Sequence, residues 1–151
     1  MNYWIFKTEP GSYSIDDLAE EKVTEWWGIR NYQVRNLLRD EMKIGDKILF
    51  YHSSAKSIGI AGLAEVTSEA YPDTQQFKST SPYFDTRSKK ENPTWITRDI
   101  RFVKKFKKLI PLQQLKQEKE LADMRLLQRG NRLSITPVTK IEYEHILNLA
   151  Q

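Results

Sequence analysis

Lys47-Ile48-Leu49-Phe50-Tyr51-His52, entered from the turn pair Gly45-Asp46, and the run from Ile58 to Val66 that follows it decide the architecture. The first stretch is rich in β-branched and aromatic residues and reads as a strand. The second reads as a strand in which Gly59 and Gly62 mark a bulge or a close backbone approach. Outward from this pair, Tyr3 to Lys7 forms another strand, broken by Pro10-Gly11-Ser12. Trp95 to Phe106 has the pattern of a long strand, and Leu133 to Pro137 that of a short one. Between them, Tyr71 to Pro93 is punctuated by Tyr71-Pro72-Asp73, Ser81-Pro82 and Asn92-Pro93, which predicts a long ordered loop.

Helices fill the remaining segments. Ser14 with Asp17 three residues on predicts a capped short helix through Leu18 and Ala19. From Asn31 to about Glu41, the apolar Val34, Leu37, Leu38 and Met42 fall on one helical face. Pro111 can open a short helix carrying Leu112 and Leu115, and Leu121, Met124 and Leu127 suggest another turn or two. Thr139 and Glu142 form a capping-box pattern ahead of a last helix with Ile141, Ile146 and Leu149. Strands outnumber helices and do not arrive as βαβ repeats. The expectation is a single α+β domain over residues 1–151, a small curved sheet or barrel with helices packed outside. No dinucleotide or P-loop glycine motif is present.

Composition agrees with one globular domain: 151 residues, 39% hydrophobic and 29% charged. The absence of cysteine excludes disulfides and thiolate metal sites, and fits a cytoplasmic protein in a reducing environment. Met1 to Lys7 has no leader pattern, and no apolar stretch reaches the roughly 18 residues of a membrane span, so no membrane partner is expected. The net charge of +4 is unevenly spread: residues 1–30 carry three basic and six acidic groups, residues 98–119 eight basic and two acidic. Arg101, Lys104, Lys105, Lys107 and Lys108 form a stripe free of anions. Such a stripe attracts phosphate, or else it guards the exposed edge of a sheet.

Catalytic patterns are sparse. His52 and His145 lie in different elements without metal-ligand spacing, and neither a nucleophile elbow nor a zinc-protease helix motif occurs. His52 beside Ser53 could set a base next to a hydroxyl, but neighbouring strand residues face opposite ways, and a hydrogen-bonded structural histidine is the simpler reading. Glu9 could serve as a general base, or cap a helix or pair with an arginine. No metal and no cofactor is expected. Aromatic and polar residues are densest in Trp26-Trp27-Gly28-Ile29-Arg30-Asn31-Tyr32. Two adjacent indoles are costly to leave exposed, so one belongs in the core, and the other could stack on a flat ligand. Asn31 is either an N-cap or a reader of a base edge at a helix start.

Seven segments, in order, resemble the EVE domain of the thymocyte nuclear protein family, within the PUA-like superfamily. They are Tyr3 to Pro10, Tyr13 to Leu18, Trp26 to Asn36, Phe50 to Ser53, Gly59 to Gly62, Glu69 to Asp73 and Arg132 to Pro137. Where that family commonly has a single tryptophan this chain has Trp26-Trp27, and Trp26 is the better match. The resemblance implies a PUA-like mixed pseudo-barrel of five or six strands flanked by helices, similar to YTH and ASCH domains. It implies a nucleic-acid-binding module that holds a modified base of DNA or RNA in an aromatic cage. Lys7, Thr8 and Glu9 would line the pocket from the first strand, Trp26, Arg30, Asn31 and Tyr32 would form a wall, and Tyr51, His52 and Ser53 the floor. Arg132 and Ser134 match the closing strand motif. Trp26 would be the stacking platform, Asn31 and Ser53 the readers of the base edge, and Arg30 and Arg132 contacts for neighbouring phosphates. The stripe from Arg101 to Lys108 would supply most of the backbone attraction, to a monomer or weak homodimer. Alternative readings are a nucleotide- or amide-directed hydrolase of ASCH-like type, using Lys7, Glu9 and His52, or a sensor of a free nucleoside-like molecule.

Overall fold

Aromatic and β-branched residues carry β1 (Tyr3–Thr8) and β3 (Lys47–His52) side by side and parallel, with Trp4 opposite Ile48 and Phe6 opposite Phe50. A computed structural model describes residues 1–53 and 56–151. The other strands of the main sheet are β2 (Val23–Glu25), β4 (Gly59–Val66), β7 (Asp99–Pro111) and β8 (Ile135–Val138). Their spatial order is β2-β7-β4-β3-β1-β8, antiparallel everywhere except β1–β3. The sheet curls into a half-barrel, while β5 (Tyr71–Pro72) and β6 (Ile96–Thr97) pair as a separate ribbon. No helix is long and apolar enough to cross a membrane among the described residues.

Both faces of the central strands are buried, so β3 is an apolar run rather than an alternation. On one face Trp4, Phe6, Ile48 and Phe50 pack against α1 (Ile15–Glu21) and α2 (Tyr32–Asn36). On the other, Ile5, Leu49 and Tyr51 meet Leu115 of α3 (Leu112–Gln117) and Tyr143 and Ile146 of α4 (Lys140–Leu149). Leu121, Met124 and Leu126 fill the same core around two short 3-10 helical turns, with Leu126 rather than Leu127 fully inside.

Gly62 shows why β4 needs glycine. A side chain there would strike the Lys104 carbonyl and crowd Ile15 at 3.0 Å; one at Gly59 would strike the Ile110 carbonyl. The β4–β7 register also shifts between Ile60 and Gly62, so bulge and close approach occur together.

Local signals set the helix starts. Ser14 and Asp17, and Thr139 and Glu142, form complete capping boxes, and the Asn31 side chain accepts from the Val34 amide at 3.0 Å. The helix expected through Glu41 departs from regularity: after Asn36 it widens into a π turn, Leu37–Glu41, closed by the Met42 amide on the Leu37 carbonyl at 3.0 Å. The long strand differs too. It is interrupted at Arg98, whose side chain turns inward, and it continues past Phe106 to Pro111.

Candidate functional site

The end of β1, the end of β3 and the approach to β8 converge at one rim of the half-barrel. The Lys7 amide donates to the Ser134 carbonyl at 2.8 Å, and the Ser53 amide to the Thr8 carbonyl at 2.8 Å. The Ser53 hydroxyl donates to the same carbonyl at 3.3 Å, and the Thr8 hydroxyl to the Tyr13 carbonyl at 2.9 Å. A cavity of about 460 Å³ opens here, lined by Lys7, Tyr51 and Ser53 and by the segment around Gln128 and Arg129. Its size suits one small ligand group. Lys7 is partly buried, and desolvation holds its ammonium below the ordinary lysine value.

Strand alternation divides the expected pocket. Lys7 and Tyr51 share the α3 side, whereas His52 lies with Phe50 on the opposite face, ring centroids 5.9 Å apart. His52 Nε2 accepts from the Ile15 amide at 3.1 Å, capping the first turn of α1. Glu9 is exposed, and its carbonyl accepts from the Ser12 and Tyr13 amides. The acid–base trio Lys7, Glu9 and His52 therefore does not converge.

The capping role gives His52 a definite pH behaviour. Burial lowers its pKa below the ordinary 6.5, while Asp16 and Lys105, paired with each other at 2.8 Å, act in opposite directions. Protonation of Nε2 would turn a donor toward the Ile15 amide. The unfolded chain takes up this proton before the folded chain does, so His52 favours folding above pH 6.5. That contribution is lost as pH falls from 6.5 toward the lowered folded value. His52→Gln retains an acceptor without titrating. Urea unfolding from about pH 7.5 to about pH 5 should show a smaller acid loss for the variant; equal losses would remove His52 from this role.

The aromatic segment is used in two ways. Trp26 is partly buried, its indole tilted against Phe6 and edge-on to Tyr13 and Phe50, with centroids 5.5–5.8 Å away. Trp27 is 48% exposed and meets Tyr83 edge-on at 5.3 Å. Neither indole lines the rim cavity. Tyr32, 54% exposed, lies 4.9 Å from the Trp95 ring. Arg30, expected to meet phosphate, is occupied instead. Its guanidinium donates to the Tyr83 carbonyl at 2.8 and 3.2 Å, to the Ile29 carbonyl at 2.9 Å and to buried Asp73 at 3.0 Å, between the rings of Tyr83 and Trp95. The reason is the loop from Asp73 to Trp95, which folds back over this segment. Asn31 spends its carbonyl oxygen as a cap but, among the described residues, has no acceptor for its NH2 group. With Arg132 it lines a second cavity of about 630 Å³.

The basic stripe also behaves differently from a uniform phosphate track. Arg101 pairs with Glu65 at 2.8 Å and Lys105 with Asp16 at 2.8 Å, leaving Lys104, Lys107 and Lys108 exposed. β2 covers only Asp99 to Arg101 of β7, so these lysines stand on its free edge, where charge blocks strand addition. Sequence reasoning missed Asp73, Gln76, Tyr83 and Trp95, which hold the long loop. Gln76 donates to the Asp73 and Trp95 carbonyls at 2.7 and 2.8 Å. It also missed Glu118, Glu120 and His145, separated in sequence but with possible ligand atoms within 4.8 Å; His145 and Glu118 form an ordinary contact at 2.8 Å.

Comparison with known proteins matches this architecture closely. Residues 2–149 match the EVE domain. Mouse thymocyte nuclear protein 1 is 42% identical over 99% of this chain and 74% of its own length. A hypothetical protein from Leishmania major has a solved structure with TM-score 0.93 and 45% identity, covering 99% of this chain and 94% of that one. Human THYN1 protein, solved in complex with 5-methylcytosine containing DNA, superposes with TM-score 0.92 at 40% identity, covering 100% of this chain and 98% of that one. With seven sequence segments, a half-barrel and whole-length similarity in agreement, the chain belongs to the EVE domain family.

Proposed function

We propose that the protein is a nucleic-acid-binding module that holds a modified nucleobase, with 5-methylcytosine in DNA as the leading case, at the rim of its half-barrel. The observation that carries this reading is the human relative bound to DNA containing that base, at 40% identity over the whole chain. The rim supports it physically: Lys7, Tyr51 and Ser53 border a base-sized cavity, and Asn31 and Arg132 border its neighbour. Asn31 and Ser53 read the base edge and Lys7 and Ser134 bound the site; Trp26, which lines neither cavity, stacks on the base only if its indole swings out from Phe6, Tyr13 and Phe50. Thr8 and Glu9 follow Lys7 at the end of β1, whereas His52, capping α1 on the opposite face, and Tyr32, against Trp95, stand apart from the site. A cysteine-free chain suits either cytosol or nucleus, both reducing.

The energetics predict modest affinity. Extracting a base costs a few kcal/mol, less from a single strand. One stack contributes about 1–3 kcal/mol, and two hydrogen bonds about 1 kcal/mol each, which roughly offsets that cost. Phosphate contacts must supply the rest, so binding is salt-sensitive. With three or four contacts, log K falls with log salt at a slope of roughly −2 to −4.

Fluorescence anisotropy with oligonucleotides carrying cytosine, 5-methylcytosine or 5-hydroxymethylcytosine tests the reading, in DNA and RNA. The expected result is salt-sensitive binding with a preference for a modified base, weakened by Ser53→Ala. Binding no tighter than to an unrelated acidic polymer, with no preference among bases, would overturn it. The hydrolase alternative lacks support from the separated Lys7, Glu9 and His52.

A further inference from the structure

The two rim cavities abut, sharing Gln128, Arg129 and Asn131. Together their linings contain Lys7, Lys116, Arg125, Arg129 and Arg132, and no aspartate or glutamate. The linings of these two neighbouring cavities thus carry a local charge of +5, against a net +4 for the entire chain. Some cations elsewhere are neutralised by carboxylates, as in Arg30–Asp73, Arg101–Glu65 and Lys105–Asp16, whereas the linings of these two cavities contain no carboxylate at all. Among the described residues, none of these five has a carboxylate within salt-bridge distance.

The loop that presents the arginines is braced by its neutral side chains. Gln128 donates to the Ala122 and Met124 carbonyls at 3.2 and 3.1 Å. Asn131 donates to the Arg125 carbonyl at 2.7 Å and accepts from the Leu133 amide at 3.2 Å. Gly130, at φ 81°, makes the turn between them. Amide side chains thus fix the backbone, while Arg125, Arg129 and Arg132 stay exposed. Opposite them, Lys7 is partly buried with no anion beside it. A braced loop of unpaired guanidiniums facing a desolvated ammonium fits a chain of phosphates, because guanidiniums grip phosphate oxygens in pairs.

We propose that the phosphodiester backbone of the bound nucleic acid runs through the groove between Arg125–Arg132 and Lys7–Lys116, rather than along the Lys104–Lys108 edge. This rests on the nucleic-acid reading above and identifies the surface that supplies its electrostatic attraction. Phosphate contacts position a strand without reading its sequence. Loss of groove charge therefore weakens modified and unmodified oligonucleotides alike.

The test compares R125Q/R129Q with K104Q/K107Q, all at exposed positions, using anisotropy across a salt series and thermal melts to confirm folding. The groove variant should bind about tenfold more weakly, with a salt slope flatter by about 1.4 to 1.8 and the base preference retained. The edge variant should remain within about twofold of wild type. Wild-type binding that survives R125Q/R129Q but falls in K104Q/K107Q would overturn the groove assignment and leave the proposed function standing. Wild-type protein that binds none of the oligonucleotides would overturn both. Inorganic polyphosphate serves as a separate probe; binding it through the groove while ignoring oligonucleotides also counts against a nucleic-acid track.

Discussion

Asp73→Ala is expected to cost about 3–5 kcal/mol of folding stability, the range for removing one partner of a buried ion pair. Asp73 is 0% exposed and collects three donors: the Gly28 amide at 2.7 Å, the Gln75 amide at 2.7 Å and the Arg30 guanidinium at 3.0 Å. Its own amide donates to the Trp95 carbonyl at 3.0 Å. The carboxylate therefore ties the start of the long loop to the tryptophan segment, and the backbone amide of the same residue ties it to the loop's end. Alanine would leave a guanidinium enclosed by Tyr83 and Trp95 without its counter-charge. Asp73→Asn keeps one acceptor oxygen but sets an NH2 group against either the Gln75 amide or the Gly28 amide and Arg30, so it should recover only part of the loss. Urea denaturation gives both values, and Trp27 beside Tyr83 offers a local fluorescence reporter. A loss below about 1 kcal/mol for the alanine variant would mean that the loop is anchored by other contacts.

Arg98→Met is the second large effect, about 3–5 kcal/mol, since each buried acceptor deprived of its donor costs about 1–3 kcal/mol. Arg98 is 3% exposed and donates to the Leu38 and Met42 carbonyls at 2.6 Å each and to the Ser68 carbonyl at 3.1 Å. The first two belong to the π turn and its C-terminal cap, where carbonyls lack partners within the helix. Burial pulls the guanidinium pKa below its ordinary value, yet arginine remains charged. Methionine would fill part of the volume and satisfy none of the three carbonyls. Arg98→Lys should recover part of the loss, because a single ammonium cannot reproduce the planar fork. Hydrogen exchange at the Met42 amide, bonded to Leu37, should accelerate in Arg98→Met even where global stability is restored by added osmolyte. Unchanged exchange there would show that the π turn does not depend on Arg98.

Arg98 also marks the boundary between what can and cannot be read without coordinates. Counted along the chain it belongs to a basic stretch, residues 98–119, and nothing in its neighbours distinguishes it from the exposed Arg101. Arg30 is similar: its partner Asp73 is 43 residues away. In contrast, Ser14 with Asp17, Thr139 with Glu142, and Asn31 with Val34 are satisfied within three residues. Such caps are legible because donor and acceptor are set by local backbone geometry. The strands around Tyr3 and Lys47 are legible for the same reason, as are the glycines of β4, whose missing side chains record a close neighbour without naming it.

The strands, the helix starts, the α+β class and, through seven ordered segments, the family resemblance are thus already present in the linear chain. Folding in three dimensions settles that Lys7 and Tyr51 face one side and His52 the other, and that Arg129 shares a cavity with Lys7 while Arg125 and Arg132 line its neighbour. It also settles which cations are paired and which are left to face a ligand. Caps and strand propensity are short-range properties of the chain, whereas burial and charge pairing depend on strand order and register, which only long-range packing fixes.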